Sequence, residues 1–295
     1  MAGNNAILNC WIDCDPGIDD LFAILVATQA KNLNIMGISS VAGNQTIEKT
    51  TRNILNVMSM LGLISKEQNL NRGGLAFPVI KGAPRPLMLK PKLADHVHGE
   101  SGLGFLMNAD FDVPQSAIDY VEDNSGLHFT TRMYNMLRQS PTKVNLVAIG
   151  PLTNIALLFL NHPDVIDCID KLVVMGGSLG KGNMSPVAEY NIYADPHAAS
   201  IVFNASHELK IYMVTLESTV TTEIGKEIYN KFASIDTPLG KTLLSFVDFL
   251  DQQLKYDLII YDACAMAFLV NPGMFEFTLA RVDVELWSPH CIGQT

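Results

Sequence analysis

The chain has 295 residues, 48% hydrophobic and 17% charged, with 20 basic and 30 acidic side chains giving a formal net charge of -10. That length and apolar fraction suit one substantial core, and the negative balance argues against a nucleic-acid partner, whose phosphates it would repel. The N-terminus from Met1 to Asn9 lacks a basic region followed by a long apolar run, and no apolar stretch reaches membrane-spanning length, so a cytoplasmic protein is expected.

Short apolar runs alternate with amphipathic segments. Ala6–Cys14 reads as a buried strand and Asp19–Ala30 as the helix after it. Leu33–Val41 is a second strand-like run, and Thr46–Leu61 spaces its apolar residues as a helix does. A looser Gly- and Pro-rich region (Asn71–Pro91) follows, then a helix around His128–Arg138. Lys143–Ile149 is another strand, broken by Gly150-Pro151, with a helix beginning over Leu152–Leu160. Lys171–Met175 and Lys210–Thr215 repeat the plan. Repeated strand–turn–helix units predict an α/β fold, one domain over residues 1–295 with a mainly parallel central sheet flanked by helices in a Rossmann-like core. Ligands of such sheets bind beyond the carboxyl ends of the strands. The five cysteines form no CxxC pair, and Cys10, Cys168 and Cys264 read as small buried hydrophobes.

The string Asp13-Cys14-Asp15-Pro16-Gly17-Ile18-Asp19-Asp20 places four carboxylates within eight positions at the end of the first strand. Such crowding is costly unless a cation or hydrogen bonds offset the repulsion. Asp13 and Asp15 point to one side of an extended strand. A helix cap needs only one carboxylate, so capping does not account for the set. An all-oxygen donor cluster suits a hard divalent cation, and both calcium and magnesium fit on chemistry alone.

This string closely resembles the N-terminal motif of the nucleoside hydrolases, particularly the calcium-dependent inosine–uridine-preferring type. The resemblance continues in order through Val41-Ala42-Gly43-Asn44-Gln45-Thr46, His98-Gly99-Glu100-Ser101-Gly102 and Gly150-Pro151-Leu152-Thr153-Asn154. It extends through Val174-Met175-Gly176-Gly177 and Ala188-Glu189-Tyr190-Asn191-Ile192 to Tyr261-Asp262-Ala263-Cys264-Ala265. It implies hydrolysis of the N-glycosidic bond of ribonucleosides to free base and ribose, in nucleoside salvage, by a calcium-bound water.

By the same resemblance Asp15 is the general base and a calcium ligand, joined at the metal by Asp20, Asp262 and the main-chain carbonyl of Ile149. Asp19, Asn44, Met175, Asn183, Glu189 and Asn191 match ribose-binding positions. Near the leaving base stand His98 and Tyr261. The inosine–uridine type carries His where this chain has Tyr261, and a Tyr hydroxyl is the poorer proton donor at neutral pH. Tyr261 is instead suited to stacking on the base. The purine-specific branch of the family resembles this chain in having an aromatic residue there, though it lacks the Asp-Pro-Gly string, and that resemblance tilts the reading slightly towards purine nucleosides. The resemblance also implies a homodimer or homotetramer, and a further strand and helix beyond the part like Val282–Gln294.

Two other readings compete. A magnesium-dependent phosphohydrolase shares Asp-x-Asp after a first strand, but would need a lysine-bearing motif downstream. A non-catalytic protein gripping a ribose-containing ligand through calcium is the other, and Tyr261 in place of His gives it footing.

Overall fold

A computed structural model describes residues 7–65, 67, 71–104, 106, 111–122, 126–222, 224–254 and 259–295. Six parallel strands form its sheet: β1 (Leu8–Cys14), β2 (Leu33–Ser40), β3 (Val79–Lys81), β4 (Val144–Ala148), β5 (Ile169–Met175) and β6 (Ile211–Val214). Their spatial order is β3-β2-β1-β4-β5-β6. The chain first builds outward from β1 through β2 to β3, then returns to the other side of β1 with β4. The sheet therefore has a topological switch point between β1 and β4, where a crevice opens beyond the carboxyl ends of the strands.

Both faces are covered, which explains why the strands read as nearly continuous apolar runs. On one face Cys10, Ile12 and Cys14 pack under α1 (Ile18–Gln29), α2 (Ile47–Met60) and, from the C-terminal part, α12 (Tyr261–Val270). On the other, Trp11 and Leu146 meet α5 (Phe129–Arg138), α6 (Thr153–Asn161) and α8 (Pro196–Phe203). Alternation along β1 puts Trp11 and Asp13 on that second side, and Asp15 follows just past the strand end.

The expected strands and helices are present with ends shifted by at most two residues, and Ala6 lies outside the described residues. The Gly- and Pro-rich region holds an unforeseen strand, β3, only three residues long. The short helices α3 (Asp95–His98), α4 (Gln115–Val121), α7 (Tyr190–Ala194) and α9 (Leu216–Thr219) are also additions, as are α8, α10 (Lys226–Ala233), α11 (Pro238–Leu254) and α12. Helix α12 is apolar nearly all round because it packs against both α1 and β5, which erases the amphipathic stripe a sequence pattern needs. Near the chain end, Gln294 bridges to Ala188, and the Thr295 hydroxyl accepts the Ser178 N–H. All five cysteines are free; Cys10, Cys14 and Cys264 are buried, whereas Cys168 is half-exposed to solvent rather than buried as expected. No described helix is long and apolar enough to cross a membrane.

Candidate active site

The acidic string leaves β1 and enters α1 through a tight turn at the switch point. Asp15 is buried and held by the main chain: its Oδ2 accepts the Asn44 N–H at 2.7 Å. Two glycines flank it. A Cβ built on Gly43 would come 2.1 Å from Asp15 Oδ2, and one on Gly150 would come 2.5 Å from Oδ1. Any side chain at either position collides with the carboxylate, so both loops close on Asp15 only as glycine. Asp15 Oδ1 is buried without a hydrogen-bond partner.

Asp20, at the first turn of α1, is also fully buried. It accepts the Gly17 N–H at 2.8 Å and the Asp15 N–H at 3.2 Å, and its Oδ2 lies 3.4 Å from Asn44 Nδ2. The Asn44 side chain also gives a hydrogen bond to the Asp15 main-chain carbonyl, so it ties the two acidic residues together. Asp262, on the first turn of α12, reaches in from the far end of the sequence and shares a hydrogen bond with Asp20. Ligand atoms of Asp19, Asp20 and Asp262 lie within 4.8 Å of one another, and Asp19 Oδ1 is buried without a partner.

Burial, joined by mutual repulsion, pushes the carboxyls of Asp15 and Asp262 well above the ordinary carboxylate range and that of Asp20 up to about 8. A divalent cation would offset those shifts by favouring the charged carboxylates. The set fits a hard cation: every donor is oxygen, two carboxylate oxygens lack partners, and the carboxyls converge from two distant segments. Asp19 belongs to the tight trio and Asp15 stands beside it, whereas the resemblance assigned Asp15 to the metal and Asp19 to the ribose.

Across the crevice, Asn191 Nδ2 donates to the carbonyls of Ile149 (3.0 Å) and Met175 (3.2 Å), joining the ends of β4 and β5. Glu189 caps α7, accepting N–H groups of Asn191, Gly177 and Ile192 at 2.7–3.1 Å. Burial raises its carboxyl to about 7 despite those three donors. Asn183 is exposed, and its side-chain oxygen accepts the N–H of Tyr190, the residue between Glu189 and Asn191.

His98, at the end of α3, is buried against Gly17, where a Cβ would sit 2.6 Å from the ring. Its Nδ1 accepts the Ile18 N–H at 3.3 Å, which leaves the proton on Nε2, 3.9 Å from Asp19 Oδ1. Burial lowers its pKa, which favours the neutral ring. His96 is exposed. Tyr261 is half-buried, and burial together with the charges of Asp19 and Glu189 lifts its hydroxyl above the usual phenol value. Sequence reasoning passed over Ser39 and supplied Asn154 only as part of a motif; both bond to Asp13 directly behind Asp15.

A family profile described as inosine-uridine preferring nucleoside hydrolase matches residues 10–295. The chain is 36% identical over 289 residues to a pyrimidine-specific ribonucleoside hydrolase of Salmonella newport (strain SL254), covering 96% of this chain and 86% of that one. Among solved structures, a plant nucleoside hydrolase superposes with a TM-score of 0.83 at 25% identity, over 97% of this chain and 86% of the other. A purine-preferring ribonucleoside hydrolase from Gardnerella vaginalis shares the fold, with a TM-score of 0.83 at 24% identity over 97% and 87% of the two chains.

Proposed function

The chain belongs to the inosine-uridine preferring nucleoside hydrolase family and is a ribonucleoside hydrolase; on that premise we propose that it uses Asp15 as general base for direct attack of water on the ribosyl C1′. The observation that carries the reading is the convergence of Asp19, Asp20 and Asp262 within 4.8 Å beside the unpartnered Oδ1 of Asp15. Asp15, Asp20, Asp262 and the Ile149 carbonyl, with Asp19 beside them, would hold calcium. When bound, the cation supplies a positive centre that orients water and the ribose hydroxyls and lowers the pKa of that water.

Asp15 is fixed by the Asn44 N–H and by its glycine slot, so its free oxygen is aimed rather than mobile. Breaking the C–N bond builds positive charge on the sugar, as in glycoside hydrolysis. Buried carboxylates around the ribose favour that charge. Glu189, Asn191, Asn44 and Met175 surround the sugar in this reading, and Asn183 lies at the rim. No Ser-His or Cys-His pair is found among the described site residues, which supports attack without a covalent intermediate.

The departing base takes up charge or a proton. His98, whose Nδ1 accepts the Ile18 N–H, can offer its Nε2–H to the departing base as a hydrogen bond, while Tyr261 is held above its usual pKa and serves as a stacking face; the proton itself then comes from solvent. The aromatic face tilts towards purines, but a relative at 36% identity is named pyrimidine-specific, which weighs towards pyrimidine nucleosides. We take a salvage role, a cytoplasmic location, a single domain and a homo-oligomer as parts of this proposal.

Reducing-sugar release from inosine, guanosine, adenosine, uridine and cytidine tests the reading, with and without a chelator and with calcium restored. Ribose release that is lost on chelation and regained with calcium supports it. Tight nucleoside binding without ribose release would instead establish a binding protein.

A further inference from the structure

We propose that Asp13 is a positioning residue for the hydrolysis, acting through Ser39 and Asn154 to hold Asp15 and the Ile149 carbonyl in register without touching the nucleoside. The proposal rests on the functional reading above. Asp13 is buried on β1, two positions before Asp15, which follows the end of the strand. Its Oδ1 accepts a hydrogen bond from the Ser39 hydroxyl and another, at 2.8 Å, from Asn154 Nδ2. Its main-chain carbonyl accepts the Ile149 N–H at 2.8 Å. One residue thereby ties together the ends of β1, β2 and β4 and the start of α6.

Asn154 has no freedom left. Its second N–H goes to the Ser40 carbonyl at 2.8 Å, and its Oδ1 accepts the Ala83 N–H at 2.7 Å. A Cβ on Gly82 would lie 2.4 Å from the Asn154 amide, so the loop after β3 closes on that amide because residue 82 is glycine. The Ser39 hydroxyl accepts the Trp11 indole N–H at 3.0 Å while giving its own proton to Asp13. The exception in this set is Asp13 Oδ2, buried with no partner. For folding alone that oxygen is a cost, because a buried polar atom without a hydrogen bond is destabilising. A sequence that keeps such a group beside its catalytic base departs from fold consistency where function is the usual reason.

The consequence for chemistry runs through the glycine slot. Gly43 follows β2 and Gly150 follows β4, and these two residues confine the Asp15 carboxylate from opposite sides. The Asp13 hub fixes the ends of the same two strands. Without it the slot widens or skews, and the base loses its aim at C1′; misplacement on the ångström scale is enough to slow turnover markedly.

The test compares Asp13→Ala, Asp13→Asn, Ser39→Ala and Val202→Ala, the last a buried core truncation in the same layer but remote from the hub. Asp13→Ala is expected to lower kcat by about tenfold or more with KM little changed. Asp13→Asn retains an acceptor oxygen for Ser39 and Asn154 and restores most of that loss. Val202→Ala lowers Tm while leaving kcat in place. Calcium affinity measured by calorimetry falls in Asp13→Ala, because Asp15 and Ile149 shift. If Asp13→Ala does not fold, Ser39→Ala and Asp13→Asn carry the comparison: a kcat loss in the former with retention in the latter is the expected pattern. The proposal is overturned if kcat in the hub variants is at the wild-type level, if it tracks Tm across all folded variants, or if Asp13→Asn is no better than Asp13→Ala. A wild-type protein that releases no ribose overturns the functional reading instead, and the calcium affinity of the hub variants then decides the hub by itself: unchanged affinity sinks it.

Discussion

Gly150 faces Asp15 so closely that a Cβ at residue 150 would stand 2.5 Å from the carboxylate Oδ1, the oxygen that has no hydrogen-bond partner. The glycine thus sets the space beside the proposed base. Gly150→Ala is expected to displace Asp15 and lower kcat by about a hundredfold, with a stability loss of about 1–3 kcal/mol from overpacking. Steady-state kinetics together with a thermal melt check both numbers. Wild-type kcat in a folded Gly150→Ala protein would mean that Asp15 does not need its slot.

The local part of this site was readable in the sequence because Asp13 to Asp20 is one continuous string whose crowding demands an explanation. Strand patterns also placed it correctly, at the carboxyl end of the first strand. What pattern reading could not supply was depth. Ser39 stands opposite Asp13 only because the β1–β2 register shifts between Cys10 and Trp11, and no periodicity carries that information. Asp262 sits on a helix whose apolar residues go all round, so its helix was not foreseen although its motif was. Asn183 lies between two of the motifs, and its exposed side chain bonds to the Tyr190 N–H, a contact no spacing announces.

Asp15→Asn tests the base directly. The asparagine still offers an oxygen to the Asn44 N–H, so the fold and the slot persist. Turnover is expected to drop by about 10²–10⁴-fold, the usual worth of a positioned general base. Ribose release measured on folded protein decides it, and near-normal turnover would remove Asp15 from that role.

Stability without metal should depend on pH in an unusual direction. Asp13 and Glu189 are raised by burial to about 7, and Asp20 by burial and the charge of Asp19 to about 8. A raised carboxyl means the folded state binds protons that the unfolded state releases. Its contribution to stability is full below the unfolded value near pH 4 and is lost as pH climbs through the folded value. Melts in the presence of a chelator should therefore show Tm falling between about pH 4 and about pH 8. Calcium should flatten the upper part of that slope by offsetting the charge of Asp20. A chelated protein that gains stability across this range would contradict the buried acidic cluster.

Tyr261 separates stacking from proton donation. Its ring lies half-buried at the head of α12, next to Asp262, and its hydroxyl is pushed above the normal phenol value by burial and by Asp19 and Glu189. A group that holds its proton so firmly at neutral pH contributes little as an acid. Tyr261→Phe keeps the aromatic face and loses only the hydroxyl, so kcat should stay within about threefold of wild type if stacking is the role. Tyr261→Ala removes the face and should raise KM for the nucleoside, because the base loses a surface it touches in ground and transition states alike. Tyr261→His exchanges the phenol for a ring that titrates near neutrality, and should raise kcat most for nucleosides whose base leaves poorly without a proton. Kinetics on the five nucleosides with all three variants check the set. A large kcat loss in Tyr261→Phe, with KM unchanged, would show that the hydroxyl itself acts on the departing base.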